Sequence, residues 1–235
     1  MLIDTIKYKG HNIEIHTDDD PMNPRTEWDN LGKMVCFHNR YNLGDEHGHD
    51  DVDDFMLHLV EEVSDEYPEI FDKLEENYDD GYERGRNLTQ TIVENHYYIL
   101  PLYLYDHSGI TISTGEFSCP WDSGQVGWIY VSKKEAEKQG WDDPAKRAIK
   151  YLGSEVTVYD QYLTGEVYGY MTEATTDNGA DYQGSCWGFF GDDGKELMIQ
   201  EAKAEIDYAV KEYRKKYNPF GNLYFNIFQN VFECC

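Results

Sequence analysis

Residues 50–83 read DDVDDFMLHLVEEVSDEYPEIFDKLEENYDDGYE, and the periodicity of this stretch decides the fold. Val52, Phe55, Met56, Leu59, Val60 and Val63 recur at the three- and four-residue spacing of one helix side, while Asp50, Asp51, Asp54, Glu61 and Glu62 fall on the other. The pattern then repeats. At about 100° per residue, Asp65, Glu69, Asp72, Glu76, Asp79, Asp80 and Glu83 share a line opposite Ile70, Phe71, Leu74 and Tyr78. Two amphipathic helices joined near Ser64 are expected, with Ser64 as N-cap of the second and Pro68 in its first turn. Their apolar stripes require a surface to cover.

That surface is read from the flanking sequence. Ile3, Ile6 and Tyr8, then Ile13 and Ile15, alternate about the turn Lys9-Gly10-His11-Asn12, as in a hairpin. Met34 to Phe37, Tyr97 to Tyr105, Gly109 to Ser113, Gly127 to Val131, Glu166 to Met171 and Ser185 to Phe190 have the aromatic and branched composition of strands. Pro101 implies an edge position or a bulge. Helices are expected at Lys133 to Gln139, Pro144 to Tyr151 and Lys195 to Tyr217. The irregular order of elements predicts an α+β fold with a mixed, largely antiparallel sheet and a long C-terminal helix. One domain over 1–235 is expected, with an acidic helical insertion at about 45–86 and an aromatic tail at about 219–235.

Charge narrows the function. The net charge is −26. Between Asp45 and Glu83 stand seventeen acidic residues and a single base, Lys73. Such a field repels nucleic acid and anionic membrane and attracts proteins that bind them. No stretch has the roughly 18 apolar residues of a membrane span, and the start lacks the basic and apolar run of a signal peptide. Cys36, Cys119 and Cys186 are isolated and Cys234 adjoins Cys235, so neither a disulfide framework nor a paired zinc motif is indicated.

Seven acids along the 18 residue steps from Asp65 to Glu83 would span about 27 Å of helix, close to the charge density of one DNA strand and near half that of the duplex. Like charges at i, i+4 destabilise a helix by roughly 0.2–0.5 kcal/mol per pair. A chain that keeps them without basic partners therefore points to a role for the charge. Set against this, a charged stripe is commonly no more than a solvated face.

Two enzymatic readings use other residues. His47-Gly48-His49-Asp50-Asp51 offers imidazole and carboxylate ligands suited to zinc or iron, with His58 nearby. The run is similar to the HxHxDH motif of metallo-β-lactamase-type hydrolases, although Val52 replaces the last histidine. Cys119 could act as a nucleophile if His107 or His96 lay beside it. GxGxxG, GxxxxGK[ST] and GxSxG are absent from the chain.

Several strings resemble a family of uncharacterised proteins of bacteriophages and bacterial mobile elements. They are WDNLGKMVC at 28–36, RYNLGD at 40–45, SCPWDSGQVG at 118–127, YDQYLTGEVYGY at 159–170 and SCWGF at 185–189. The resemblance implies no activity, but it does imply a setting: the cytoplasm of a bacterial host, where small phage proteins disarm defence systems. Charge and setting together give the expected function. It is a non-enzymatic inhibitor without cofactor, an acidic nucleic-acid mimic that blocks the DNA- or RNA-binding groove of a CRISPR or restriction protein. The expected partner-binding residues are the twelve acids of the two helices, from Asp50 to Glu83. A metal-dependent enzyme using His47, His49 and Asp51 is one alternative. An assembly protein using the aromatic tail from Leu223 to Phe232 is the other.

Overall fold

The computed structural model describes residues 1–79, 81–175 and 181–217. Its class is α+β, with eight strands and six helices among those residues. The chain divides into two compact units, one of residues 23–164 and one of residues 1–22 with the segment from 165 onward.

The 23–164 unit is built on strands β3 (Lys33–Cys36), β4 (Tyr97–Asp106), β5 (Ile110–Ser113) and β6 (Ser123–Ser132), in the order β3-β6-β4-β5, all antiparallel. Side chains alternate across it, as the two-residue period of a strand requires. Val35, Tyr97 and Tyr130 face helices α1 (Val52–Ser64), α2 (Glu69–Asp79) and α3 (Tyr82–His96). Met34, Cys36, Leu102, Leu104 and Ile129 face α4 (Lys133–Lys138) and α5 (Pro144–Thr164), meeting Ala136, Ala148, Leu152 and Val156. A sheet covered on both sides explains why its strands carry long apolar runs, such as Val126 to Val131. Burial also pushes the Cys36 thiol up to about 12, so this cysteine is a small core side chain and not a nucleophile.

The 1–22 and 165–217 segments form a second antiparallel sheet. Strands β1 (Leu2–Tyr8), β2 (His11–Thr17), β7 (Val167–Thr175) and β8 (Asp181–Phe190) lie in that order, packed on α6 (Gly191–Tyr217). Met198, Ala202 and Ile206 of the helix close over Ile13, Ile15, Tyr168, Tyr170 and Phe189. The hairpin turn is confined to Lys9 and Gly10, both at positive φ (49° and 88°), as a two-residue turn requires.

Several expectations are corrected. There are two sheets and not one, with no parallel pairing among the described strands. The acidic helical region extends past 86, because α3 runs to His96, and α5 continues through Thr164 instead of ending at Tyr151. Ser64 does not cap α2; it ends α1, and its hydroxyl donates to the Val60 carbonyl (2.8 Å). Pro68, which lacks an N–H and disfavours the α conformation at Tyr67, separates the two helices, and α2 starts directly after it. Pro101 is bonded to β6 alone, because β5 pairs only with Tyr103 to Asp106; β4 is therefore locally an edge strand, with a bulge at Leu102/Tyr103. The expected tail at 219–235 lies outside the described residues.

Gly127 marks the tightest approach in the sheet. A Cβ there would sit 1.9 Å from the Val35 carbonyl oxygen and 2.9 Å from Cys36 Cα, both backbone atoms that cannot turn aside. Gly127→Ala is expected to part β3 from β6 and lower the urea midpoint by the equivalent of about 2 kcal/mol or more, beyond an ordinary surface change. A midpoint within error of the parent would refute the close approach.

Candidate acidic interface

The expected partner-binding carboxylates are built on three helices. Phe55, Leu59, Val60 and Val63 on α1, Leu74 on α2, and Ile92 and Val93 on α3 are buried, which turns the opposite faces outward. Asp50, Asp51, Asp54, Glu61, Glu62, Asp65, Glu69, Asp72, Glu76, Asp79 and Glu83 are all exposed. Asp80 lies outside the described residues.

The acids do not form one line. α2 stops at Asp79, and Gly81, at φ 144°, precedes α3, so Glu83 belongs to another helix. The continuous stripe shortens to the 11 residues of α2, about 16 Å. Its position beside α1 matters more. A groove of about 570 Å³ between the end of α1 and α2 is lined by His58, Glu61, Glu62, Asp65 and Asp72 with Ser64 and Pro68, and among the described residues by no lysine or arginine.

The twelve acids also differ in role. Asp51 caps α1 by accepting from the Asp54 N–H (2.9 Å), and Asp54 accepts from the N–H of Asp50, the residue before the cap (3.2 Å). Glu62 accepts from the Tyr97 hydroxyl (2.8 Å), and His58 approaches Glu61 and Glu62 at 4.0 and 3.6 Å. Burial first, then Glu62, pushes the Tyr97 hydroxyl far above its ordinary range, so it remains a donor. Asp65, Glu69, Asp72, Glu76, Asp79 and Glu83 have no ion pair or side-chain hydrogen bond among the described residues. Asp53, absent from the sequence-derived set, bonds the Tyr82 hydroxyl and lies 3.9 Å from Arg86.

The histidine run does not assemble as a metal centre. The rings of His47, His49 and His58 follow one another at 5.6 and 5.0 Å, but His47 Nε2 is bonded to the Cys36 carbonyl (2.9 Å), His49 faces Asp54 (3.4 Å) and Asp51 is turned to its helix. Among the described residues no three His, Cys, Asp or Glu side chains are grouped to hold a metal ion. The other nucleophile candidate fares no better. Asp122 Oδ2 lies 3.6 Å from Cys119 Sγ and 3.2 Å from His107 Nδ1, so a carboxylate, not an imidazole, meets the thiol. His96 packs instead against Tyr67.

A wider cleft of about 790 Å³ opens between α1, α3 and the sheet, over Phe37, Ile99 and Trp128. Its carboxylates are already engaged: Asp51 as a cap, Asp53 with Tyr82, and Glu94 with Gln90 (2.9 Å). Among the described residues no histidine or cysteine lines it. No helix among the described residues is long and apolar enough to cross a membrane. Comparison with family models, with curated proteins and with solved structures finds no match for this chain.

Proposed function

We propose that the protein is a phage-encoded inhibitor whose helical face, α1 to α3, imitates the charge of nucleic acid. It occupies the DNA- or RNA-binding groove of a host defence protein, of CRISPR or restriction type, in the bacterial cytoplasm. The observation that carries this reading is the groove between α1 and α2, where Glu61, Glu62, Asp65 and Asp72 converge without a lysine or arginine among the described residues. Glu61, Glu62 and Asp65 crowd the C-terminal end of α1, where the negative end of the helix dipole disfavours them and no basic residue occupies the last turn. Asp65 and Asp72 of the groove, with Glu69, Glu76, Asp79 and Glu83 beside it, form no ion pair among the described residues. Retaining charge at a cost to helix stability is intelligible if a cationic partner completes the site. Inhibition would be competitive and electrostatic, since screening acts on the contacts themselves.

The test begins with capture of the host protein on the immobilised chain at low salt, followed by displacement of labelled duplex or guide RNA from it. The variant with Asp65→Asn, Glu69→Gln, Asp72→Asn, Glu76→Gln and Asp79→Asn is expected to lose displacement by a hundredfold or more. Its melting temperature should hold or rise, because each relieved pair returns a few tenths of a kcal/mol. Undiminished displacement by the neutralised variant, or affinity indifferent to salt, would refute the reading.

A further inference from the structure

The cleft of about 790 Å³ between α1, α3 and the sheet has the volume of a ligand site and none of the marks of a catalytic one. Its floor is apolar. Ile99 of β4 and Trp128 of β6 stand on paired strands, Phe37 follows β3, and Met56 reaches in from α1. All four pack against the core beneath α1–α3, yet all four are only half-buried. Arg86, Gln90, Val93 and Glu94, spaced as one side of α3, form a wall, and the first turns of α1 form the wall opposite. Apolar groups left part-exposed in a concave site favour whatever apolar surface can displace the water over them.

The rim adds a sign to this preference. Among the described residues Asp51, Asp53 and Glu94 stand there against Arg86 alone. Their hydrogen bonds come from neutral donors: the Asp54 N–H to Asp51 (2.9 Å), the Tyr82 hydroxyl to Asp53, and the Gln90 amide to Glu94 (2.9 Å). Such bonds aim a carboxylate and leave its charge in place. Arg86 Nε lies 3.9 Å from Asp53, and with side chains 64% and 46% exposed the pair cancels little. Asp51 answers the positive end of α1, which leaves Asp53 and Glu94 to act on a ligand. Two carboxamides complete the lining. Gln125 Nε2 has only a long bond to the Gly127 carbonyl (3.4 Å), and the Gln90 amide oxygen accepts from no described donor. An exposed carboxamide can meet both the N–H and the C=O of a peptide.

We propose that this cleft binds a short segment of a partner polypeptide in which apolar side chains are flanked by lysine or arginine. The apolar side chains would cover Phe37, Met56, Ile99 and Trp128. The flanking cations would meet Asp53 and Glu94, and Gln90 and Gln125 would bond the backbone between them. A nucleotide or a fatty acid would bring its anion among three carboxylates, which rules against both. The cleft shares no lining residue with the groove between α1 and α2, so it does not rest on nucleic-acid mimicry and the two stand or fall separately.

The test follows the Met56 methyl and Trp128 indole N–H signals of the full chain by NMR while acetyl-Lys-Phe-Gly-Leu-Lys-amide is added. Salt of about 0.15 M screens exposed charges beyond roughly 8 Å. Saturable shifts of both signals are expected. Two control peptides separate the contributions: one has serine for Phe and Leu and keeps the cations, the other has glutamate for both lysines and keeps the apolar pair. Each should bind at least about tenfold more weakly. Gln125→Trp, at an exposed strand position, places a ring in the cleft and should weaken binding by a similar factor. Gln90→Trp blocks the cleft from the exposed side of α3 and serves if the strand variant fails to fold. Asp53→Asn with Glu94→Gln keeps acceptors for Tyr82 and Gln90 and should weaken binding about fivefold. The variant neutralised on α2 should bind like the parent. A control peptide that binds as tightly as the parent peptide, shifts that do not saturate, indifference to the cleft-filling variants, or an equal loss on neutralising α2 would overturn the proposal.

Discussion

Replacing Arg25, the buried charged residue among those described, with methionine is expected to destabilise the 23–164 unit by about 3–5 kcal/mol. The Arg25 side chain is 1% exposed, and it holds Asp45 and Glu155, themselves 27% and 14% exposed. Burial alone would disfavour its charge, yet Asp45 and Glu155 together raise its pKa above the ordinary arginine value, so it is charged wherever the protein is folded. Removing it strands two carboxylates with no counter-charge. The variant that also carries Asp45→Asn and Glu155→Gln keeps oxygen acceptors for the N–H groups of Leu31, Gly32 and Met34 but removes the stranded charge. It should recover at least half the loss. Urea denaturation of the three proteins decides the matter, and a single variant within 1 kcal/mol of the parent would show that the network is dispensable.

Phe55→Ala is expected to cost a similar amount, about 3–5 kcal/mol, by opening a cavity where α1 meets the sheet. The ring is fully buried, with Tyr130 at 5.4 Å, Trp128 at 5.9 Å and Phe37 at 6.4 Å between centroids. No carboxylate is altered, so the variant separates support of the acidic face from the charge on it. Hydrogen exchange should show protection lost first along α1. Uniform loss over both units, or a cost below 1 kcal/mol, would mean that Phe55 does not anchor the helix.

The two sequence-derived helices were legible because their apolar residues recur at helical spacing and their sheet contacts respect it, as Phe55, Leu59 and Val63 show. α3 was not, for a physical reason. Its sequence includes Gly85, Thr89, Thr91, Ile92 and Val93, poor helix formers alone, and it is held by packing of Ile92 and Val93 on the sheet side and by the close seat of Gly85 against the Tyr78 ring. The second half of α5 was hidden likewise by Gly153 and the run Val156-Thr157-Val158, although Ala148, Leu152, Val156 and Tyr159 mark its buried face. Exposure of the acidic residues followed from periodicity. Their division between caps, hydrogen-bonded groups and unpaired groups did not, because the Tyr97 hydroxyl and the break at Gly81, both remote in sequence from α1, decide it. The cleft between α1, α3 and the sheet left no local signal at all: Phe37, Met56, Gln90 and Trp128 come from separate segments, and Arg25 likewise meets Glu155 across 130 positions.

The pairing of β2 with β7 has a consequence for the route by which the chain reaches its native state. The Asp18 N–H bonds the Val167 carbonyl at 2.8 Å, so the polypeptide leaves the β1-β2-β7-β8 sheet and re-enters it at neighbouring points, with the whole 23–164 unit between them in sequence. Closing a loop of roughly 150 flexible residues costs about 4 kcal/mol of chain entropy beyond the fixed term. Once the intervening unit has collapsed, much of that search is over, and the β2–β7 seam can zip. The seam between β2 and β7 is thus expected to close after the intervening unit has formed, although the β1–β2 hairpin needs only local contacts.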